Sequence, residues 1–458
     1  ASKGYFNKDV EELTLSEVAF LCAIPNNPTL YNPVTKYDNT IKRRDKILKD
    51  ILQEGFIKES IYELAVNENI KLDRQDKEVY NYVETYVYYC STVALMEAQG
   101  FKFQYKFDTQ EEKDAYEEQF REAYDKYQGS LFTGGYRIYT TIDMDKQDIL
   151  QKSLDEELIS DITTNDDGVY ELQGAAVCID NATGKVTAIV GGRSQSIPGY
   201  TLNRGYQSPR QPGSAIKPLI VYAPQLERGY TPETMVKDSY IEGGPSDGGN
   251  YEGSITLREA VVKSKNVVAY RLYTELTQSV GLEYLFQMKF AHLTMSDRDN
   301  PVACLGGFEY GTTAVEMASG YATICNDGVY RNPTCIRYIN TAENDLVINK
   351  ESEGKRIYDQ NATRMMTDIL TGVLKKGGTA SGYGLENMSC AGKTGTTSEN
   401  KDGWFCGYSP YYTTAVWVGY DMPKTLDGLR GNTFPVKIWN GYMNNIHKGL
   451  ENKNFSEK

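Results

Sequence analysis

At 458 residues and 51.5 kDa the chain exceeds one ordinary domain, so two or three folded units are expected. Hydrophobic residues at 40% and charged residues at 24% lie near the globular norm and exclude disorder, a collagen-like chain and a disulfide-dense miniprotein. Lysine and arginine total 49 against 62 acidic residues, a net charge of -13 that makes nucleic acid a poor partner. The mean hydropathy is -0.52, and the longest apolar stretch, around 18–24, is far short of the roughly 18 to 20 residues a membrane span needs. No export signal opens the chain, so any such signal is expected outside it.

The acidic runs at 108–125 and 155–167 read as solvated helix faces. Only two histidines are present, His292 and His447, neither in a catalytic context, which disfavours a Ser-His-Asp hydrolase. The eight cysteines are nowhere closer than ten residues, so there is no short zinc-ligand or redox spacing. Mostly free thiols are expected, with no metal and no cofactor, and Cys178, Cys390 and Cys406 fall in strand-like segments as small apolar residues. The 36 tyrosines are spread widely and read as amphipathic packing.

In chain order, residues 1–75 read as helices at 13–22, 41–52 and 58–66, with Pro25, Pro28 and Pro33 enforcing an extended connection. The piece is short to own a core and reads as the back end of a domain. Residues 76–168 read as an interdomain connector, Tyr-rich and helical up to Gly134-Gly135, after which 136–143 alternates as a strand. A hairpin follows, 174–180 and 185–190 around a polar turn at 181–184. Helical periodicity occupies about 213–385 in pieces such as 257–272 and 313–324. Short β-rich runs at 390–397, 404–408 and 414–420 are expected to rejoin the sheet that the hairpin begins. A sheet built from both ends of 169–448, with helices inserted between, is an α+β or layered sandwich fold, and 449–458 is a polar tail.

Three short motifs carry candidate chemistry. Ser214-Ala215-Ile216-Lys217 sets a hydroxyl and an amine three residues apart; if Pro212-Gly213 opens a helix, one turn brings them onto one face. Lysine can take the serine proton only if burial or a neighbouring cation lowers its pKa from about 10.4 toward roughly 7 to 8. The helix start also aims backbone NH groups at whatever docks on Ser214. Ser264-Lys265-Asn266 and Lys393-Thr394-Gly395-Thr396 follow, the latter placing a cation, hydroxyls and a close-approach glycine along one strand edge. Each alone has a structural reading: Ser three before Lys recurs at Ser352 and Ser398, a Ser-x-Asn triplet recurs at 398–400 where a cap or turn suffices, and Lys393 to Thr396 could be an edge strand.

Together and in order they match the motif set of β-lactamases and penicillin-binding proteins, with Lys265 where that set has Asp. The flanks Arg210 to Gly213, Pro218, Ala391-Gly392, Thr397, Asp402-Gly403-Trp404-Phe405 and Trp417 to Asp421 resemble the transpeptidase domain of class A penicillin-binding proteins, and 135–143 resembles the entry into that domain. Ala1 to Phe6, Leu13 to Glu17, Asn27-Pro28, Tyr31-Asn32-Pro33, Arg43-Arg44 and Ile47-Leu48 are similar to the closing part of the glycosyltransferase domain that precedes it. The likeness covers nearly the whole chain, least at 76–133.

The resemblance implies a penicillin-binding and serine β-lactamase-like fold, an antiparallel sheet flanked by helices with an inserted all-helical subdomain, preceded by a helical glycosyltransferase remnant at 1–75. It implies a serine D,D-transpeptidase that cross-links peptidoglycan stem peptides and is acylated by β-lactams. Ser214 would be the nucleophile, Lys217 its base and Lys393 the cation keeping Lys217 neutral. Ser264 and Asn266 would relay a proton and hold the substrate amide, while Thr394, Gly395 and Thr396 would bind substrate, the hydroxyls of Thr394 and Thr396 taking the terminal carboxylate. The backbone NH groups of Ser214 and Thr396 would form the oxyanion hole. Which group deprotonates Ser214, Lys217 alone or Ser264 through Lys217, stays open. The family's glycosyltransferase glutamates lie upstream of these residues, so glycan polymerisation is not expected. Partners would be stem peptides, β-lactams and cell-division or elongation machinery, at the outer face of the bacterial cytoplasmic membrane through an anchor upstream. A carboxypeptidase or β-lactamase-type hydrolase and a non-enzymatic penicillin sensor are the alternative readings.

Overall fold

The computed structural model describes residues 1–458 except 29, 74–80, 167, 196–201, 352 and 456–458, so Ser352 and parts of the expected connector and tail lie outside the described residues. The chain divides into two compact units, Ala1–Val79 and Tyr80–Lys458.

The smaller unit is helical. Thr14 opens helix Leu15–Ala23 with a capping box, its hydroxyl accepting from Glu17 N at 3.2 Å while the Glu17 carboxylate accepts from Thr14 N at 2.9 Å. Helices Tyr37–Gln53 and Glu59–Asn67 follow. Phe6, Phe20 and Ile70 form one small apolar cluster, and Ala19, Leu48 and Ala65 another. The buried Arg44 guanidinium crosses the unit, donating to Ser16 Oγ at 3.1 Å and to the Val66 and Glu68 carbonyls at 3.0 Å.

The larger unit is organised on a five-stranded antiparallel sheet in the order Ala391–Thr396, Asp402–Tyr408, Tyr412–Tyr420, Leu172–Asp180, Lys185–Val190. The hairpin and the three late strands join one sheet, as their composition predicts. Four of these strands are buried along almost their whole length because both faces are covered. Alternation assigns the faces: Phe405 meets Trp439 of helix Phe434–Ile446 at 5.0 Å between ring centroids, whereas Tyr408, of opposite parity, meets Tyr321 of helix Ala314–Cys325 at 6.4 Å. Lys393 pairs across the ladder with Cys406, so it shares the face of Tyr408 and points toward the inserted helices.

The insertion between Val190 and Ala391 is mostly helical, but unlike the all-helical expectation it holds short ladders: Met235–Asp238 with Gly253–Thr256, and Val329–Arg331 with Gly354–Arg356. β-branched Val236 and Ile255 pair there and are buried. Strand Arg137–Thr140 pairs with Ile336–Asn340. Helices Asn81–Ala98 and Gln110–Thr133, read from sequence as connector, place Tyr86, Cys90, Ala94, Leu95 and Leu131 in the main core of this unit. All eight cysteines are free thiols, and Cys390 stands just before its strand. Among the described residues no helix is long and apolar enough to cross a membrane.

Candidate active site

Ser214 lies on the 3₁₀ turn Gly213–Ile216, whose backbone runs on through Lys217 into the π-helical segment Pro218–Tyr222. Two contacts hold the approach to this turn against the sheet, and a third ties the turn to helix Ala314–Cys325. Arg210 donates to the Asp402 carboxylate at 2.9 Å, Trp404 Nε1 donates to Gln211 O at 2.8 Å, and Tyr321 Oη donates to Ala215 O at 2.6 Å. Gly213 takes φ +55°, and a Cβ there would stand 2.7 Å from Thr396 O. A Cβ on Gly395 would stand 2.3 Å from Pro212 O. These two glycines let the Ser214 turn and the edge strand Ala391–Thr396 touch backbone to backbone.

The second motif sits in a helix break. Periodicity predicts one helix over 257–272; the structure has Leu257–Val262 and Asn266–Leu276 with a left-handed Ser264 between, φ +60°. Ser264 N bonds to Val261 O at 3.0 Å and Lys265 N to Ala260 O at 2.9 Å, which is a Schellman ending with serine in the place glycine usually takes. A left-handed non-glycine residue costs roughly 1–2 kcal/mol. The break turns carbonyls inward: Lys217 Nζ donates to Ser264 O at 2.9 Å, to Lys265 O at 3.2 Å and to Asn266 Oδ1 at 2.8 Å.

From the opposite side Lys393 Nζ donates to Ser264 Oγ at 2.8 Å and to Thr394 O at 2.9 Å. Thr394 Oγ1 is shared with Thr379 Oγ1 at 2.8 Å, and Thr396 Oγ1 accepts from Gly431 N at 3.0 Å. Lys217 and Lys393 are fully buried, while Ser214, Ser264, Asn266 and Thr396 are half-buried. The structure thus joins Lys217, Ser264, Asn266, Lys393 and Thr394 in one hydrogen-bonded group, with Ser214 one turn ahead of Lys217 and Gly395 and Thr396 against the Ser214 turn.

Burial pushes the Lys217 amine down to about 8 against the opposing pull of the Cys304 and Asp247 anionic forms. Burial and then the charge of Lys217 push Lys393 well below the ordinary lysine range. The sequence reading makes Lys393 the cation beside Lys217; in the free chain burial opposes charge on both amines, and the charge of Lys217 further opposes that of Lys393.

Lys265, where the motif set has Asp, leads away from Ser214. Its ammonium pairs with Asp238 at 2.8 Å and Glu252 at 3.1 Å and donates to Asn250 O at 2.6 Å, so this position faces a separate ion cluster. Sequence reasoning missed Asp247. Its carboxylate accepts from Asn266 N at 2.7 Å and Val267 N at 3.3 Å, capping the helix that carries Asn266. The Gly243-Gly244 and Gly248-Gly249 pairs that bracket Asp247 mark a loop but give no hint of where it docks. His447 is structural: its Nδ1 faces Met443 O at 2.6 Å and its Nε2 faces the buried Ser409 Oγ at 2.7 Å, and among the described residues no carboxylate bonds to either nitrogen. Among the described residues no cluster of His, Cys, Asp and Glu has metal-binding geometry.

Residues 174–432 match the penicillin binding protein transpeptidase domain model, and residues 1–52 match the transglycosylase model. Penicillin-binding protein 1A of Clostridium acetobutylicum is 33% identical over 97% of this chain and 56% of its own length; penicillin-binding protein 4 of Bacillus subtilis is 31% identical over 97% and 69%. The chain therefore spans between about half and two thirds of the length of these curated relatives. Penicillin-binding protein 1A from Haemophilus influenzae shares the fold with a TM-score of 0.71 at 20% identity, over 100% of this chain and 83% of that one. The PonA1 protein from Mycobacterium tuberculosis, solved in complex with penicillin V, aligns with a TM-score of 0.65 at 25% identity over 81% and 95%. A transpeptidase match across more than half of the sequence, laid over the Ser214 turn, the Ser264 break and the Lys393 strand, and preceded by the transglycosylase match at 1–52, shows that the chain belongs to the class A penicillin-binding proteins.

Proposed function

We propose that this chain is a serine D,D-transpeptidase: it attacks the carbonyl between the two terminal D-alanines of a peptidoglycan stem peptide and passes the acyl group to an amine on a neighbouring strand. The observation that carries this reading is the pair of buried amines, Lys217 and Lys393, that bracket Ser264, with Lys217 one turn after Ser214 along the chain. The substrate's terminal carboxylate docks at Thr394 and Thr396 beside Lys393, and its charge stabilises the Lys393 ammonium. That ammonium then drives the neighbouring Lys217 to its neutral form, so the shared proton settles on Lys393 and Lys217 gains the free electron pair a base needs.

Lys217 takes the Ser214 hydroxyl proton as the Oγ–C bond forms, and the oxyanion faces the backbone NH groups of Ser214 and Thr396, each such donor being worth about 10² to 10³ in rate. The proton passes through the Ser264 hydroxyl to the nitrogen of D-alanine as the C–N bond breaks. Asn266 Nδ2 holds the substrate amide. In the second half an acceptor amine attacks the ester, the Oγ–C bond breaks, and the proton returns to Ser214. β-lactams enter the first half and stop there; the relative solved with penicillin V supports this reading. We place the reaction outside the cytoplasm, where the wall polymer lies.

Polymerised pentapeptide strands supplied to the protein should give dimeric muropeptides. D-alanine release without dimers would make it a hydrolase, and neither product would make it a sensor. The acylation rate by benzylpenicillin should rise with pH along a limb at or below about 8, as Lys217 loses its proton. Asp247 favours the Lys217 ammonium, so Asp247→Asn should shift that limb to lower pH while its remaining oxygen still caps the Asn266 helix. An unmoved or upward-shifted limb would remove Asp247 from the electrostatics of the site.

A further inference from the structure

A cavity of about 760 Å³ opens within the larger unit, walled by helix Asn81–Ala98, by the turn after helix Gln278–Gln287 and by the ladder Val329–Arg331 with Gly354–Arg356. None of the Ser214 group lines it. The volume falls in the range of pre-formed small-molecule sites, roughly 300–1,000 Å³. Its walls are aromatic. Tyr206 packs between Tyr86 and Tyr89, with ring centroids 5.3 and 4.9 Å away, and Tyr105 adds a further ring. Such faces offer flat apolar surface with a polar rim.

The charges in this cavity are unequally satisfied. Glu97 is paired with Lys350. Glu316 is spent as a helix cap, one oxygen accepting from Ala291 N at 2.6 Å and the other from Thr313 N at 2.7 Å. Lys185 donates to Ile336 O at 2.9 Å and to Lys350 O. The Lys289 ammonium has no hydrogen-bond or ion-pair partner among the described residues; it stands 6.0 Å from the centre of the Tyr105 ring. Glu351 and Glu353 are exposed at the rim.

Lys289 ends its helix at φ +61°. Its NH bonds to Phe286 O at 3.0 Å and the Phe290 NH to Leu285 O at 3.1 Å, a second Schellman ending in which a charged side chain stands where glycine is unstrained. Burial lowers the Lys289 pKa, the Glu97 carboxylate, itself paired with Lys350, pulls it back up, and the neighbouring Lys350 and Lys355 lower it again; an anion would offset the burial and the repulsion.

We propose that this cavity is a second binding site, remote from Ser214, for a ring-bodied anion: a hexose-sized or benzene-sized ring that stacks on the tyrosines and carries one carboxylate to Lys289. The shared chemistry is the ring and the single negative charge, and two probes separate its sources. N-acetylmuramate supplies a sugar ring with a carboxylate, benzoate an aromatic one, and N-acetylglucosamine the sugar ring without the charge.

Calorimetric titration of the whole chain, with and without prior saturation by benzylpenicillin, should show one anion or both binding at about one per chain, independently of penicillin. N-acetylglucosamine should bind about tenfold more weakly or not at all. Lys289→Met should weaken the anion about tenfold or more while leaving penicillin labelling unchanged, which also certifies that the variant is folded. The proposal is overturned if neither anion binds below about 10 mM, if N-acetylglucosamine binds as well as they do, if Lys289→Met leaves binding unaltered, or if penicillin displaces the anion. Because binding is read without turnover, these outcomes stand apart from any failure of the acyl-transfer reading.

Discussion

Lys217→Met should lower the rate of acylation by benzylpenicillin about 10³- to 10⁴-fold, the upper range for loss of a positioned general base. Methionine fills nearly the same space, so the loss should come from chemistry. Removing the amine strips the donor from the half-buried Ser264 O and Asn266 Oδ1 and from the buried Lys265 O, the buried orphan costing about 1–3 kcal/mol. It also removes a buried charge whose desolvation is the largest influence on that amine. With the two effects opposed, calorimetry should find the melting temperature little changed while stopped-flow labelling collapses. Retained labelling would mean that another group takes the Ser214 proton.

Gly395→Ala should damage both stability and chemistry. Its Cβ would stand 2.3 Å from Pro212 O, 2.9 Å from Ala215 Cβ and 3.0 Å from Trp404 Cβ, and the nearest of these is backbone that cannot rotate away. Overpacking of this kind typically costs about 1–3 kcal/mol, or several degrees in melting temperature for a unit of this size. The strand must withdraw from the Ser214 turn, and a displacement approaching 1 Å at a reacting centre costs about 100-fold in rate. Gly441→Ala supplies the comparison: no atom lies within 4 Å of its added Cβ, and it sits inside helix Phe434–Ile446. That change should leave labelling intact and raise stability by up to about 1 kcal/mol. Equal losses in both variants would detach the acylation defect from the close approach at Gly395.

What could be read from the sequence was whatever is written in short periods. The strands Lys185–Val190, Asp402–Tyr408 and Tyr412–Tyr420 announce themselves through β-branched and aromatic residues, and the three motifs through residue types that are rarely found together. The helix break at Ser264 was hidden because neither glycine nor proline marks it; the left-handed turn is held by tertiary donors, above all Lys217, which arrives from a segment 47 residues earlier. Asp247 was hidden for a similar reason, since a capping carboxylate 19 residues from the amide it caps has no local pattern. The helices at Asn81–Ala98 and Gln110–Thr133 carry charged and tyrosine-rich faces that disguise how much of them is core. The balance between Lys217 and Lys393 depends on burial, which no spacing encodes.

The central claim is that Ser214 is the hydroxyl served by the two buried amines. Peptide mapping by mass spectrometry after reaction with benzylpenicillin tests it most directly: the adduct should be found on the peptide carrying Ser214, and Ser214→Ala should carry none. An adduct on any other residue of the wild-type chain, or an undiminished one in Ser214→Ala, would contradict the account.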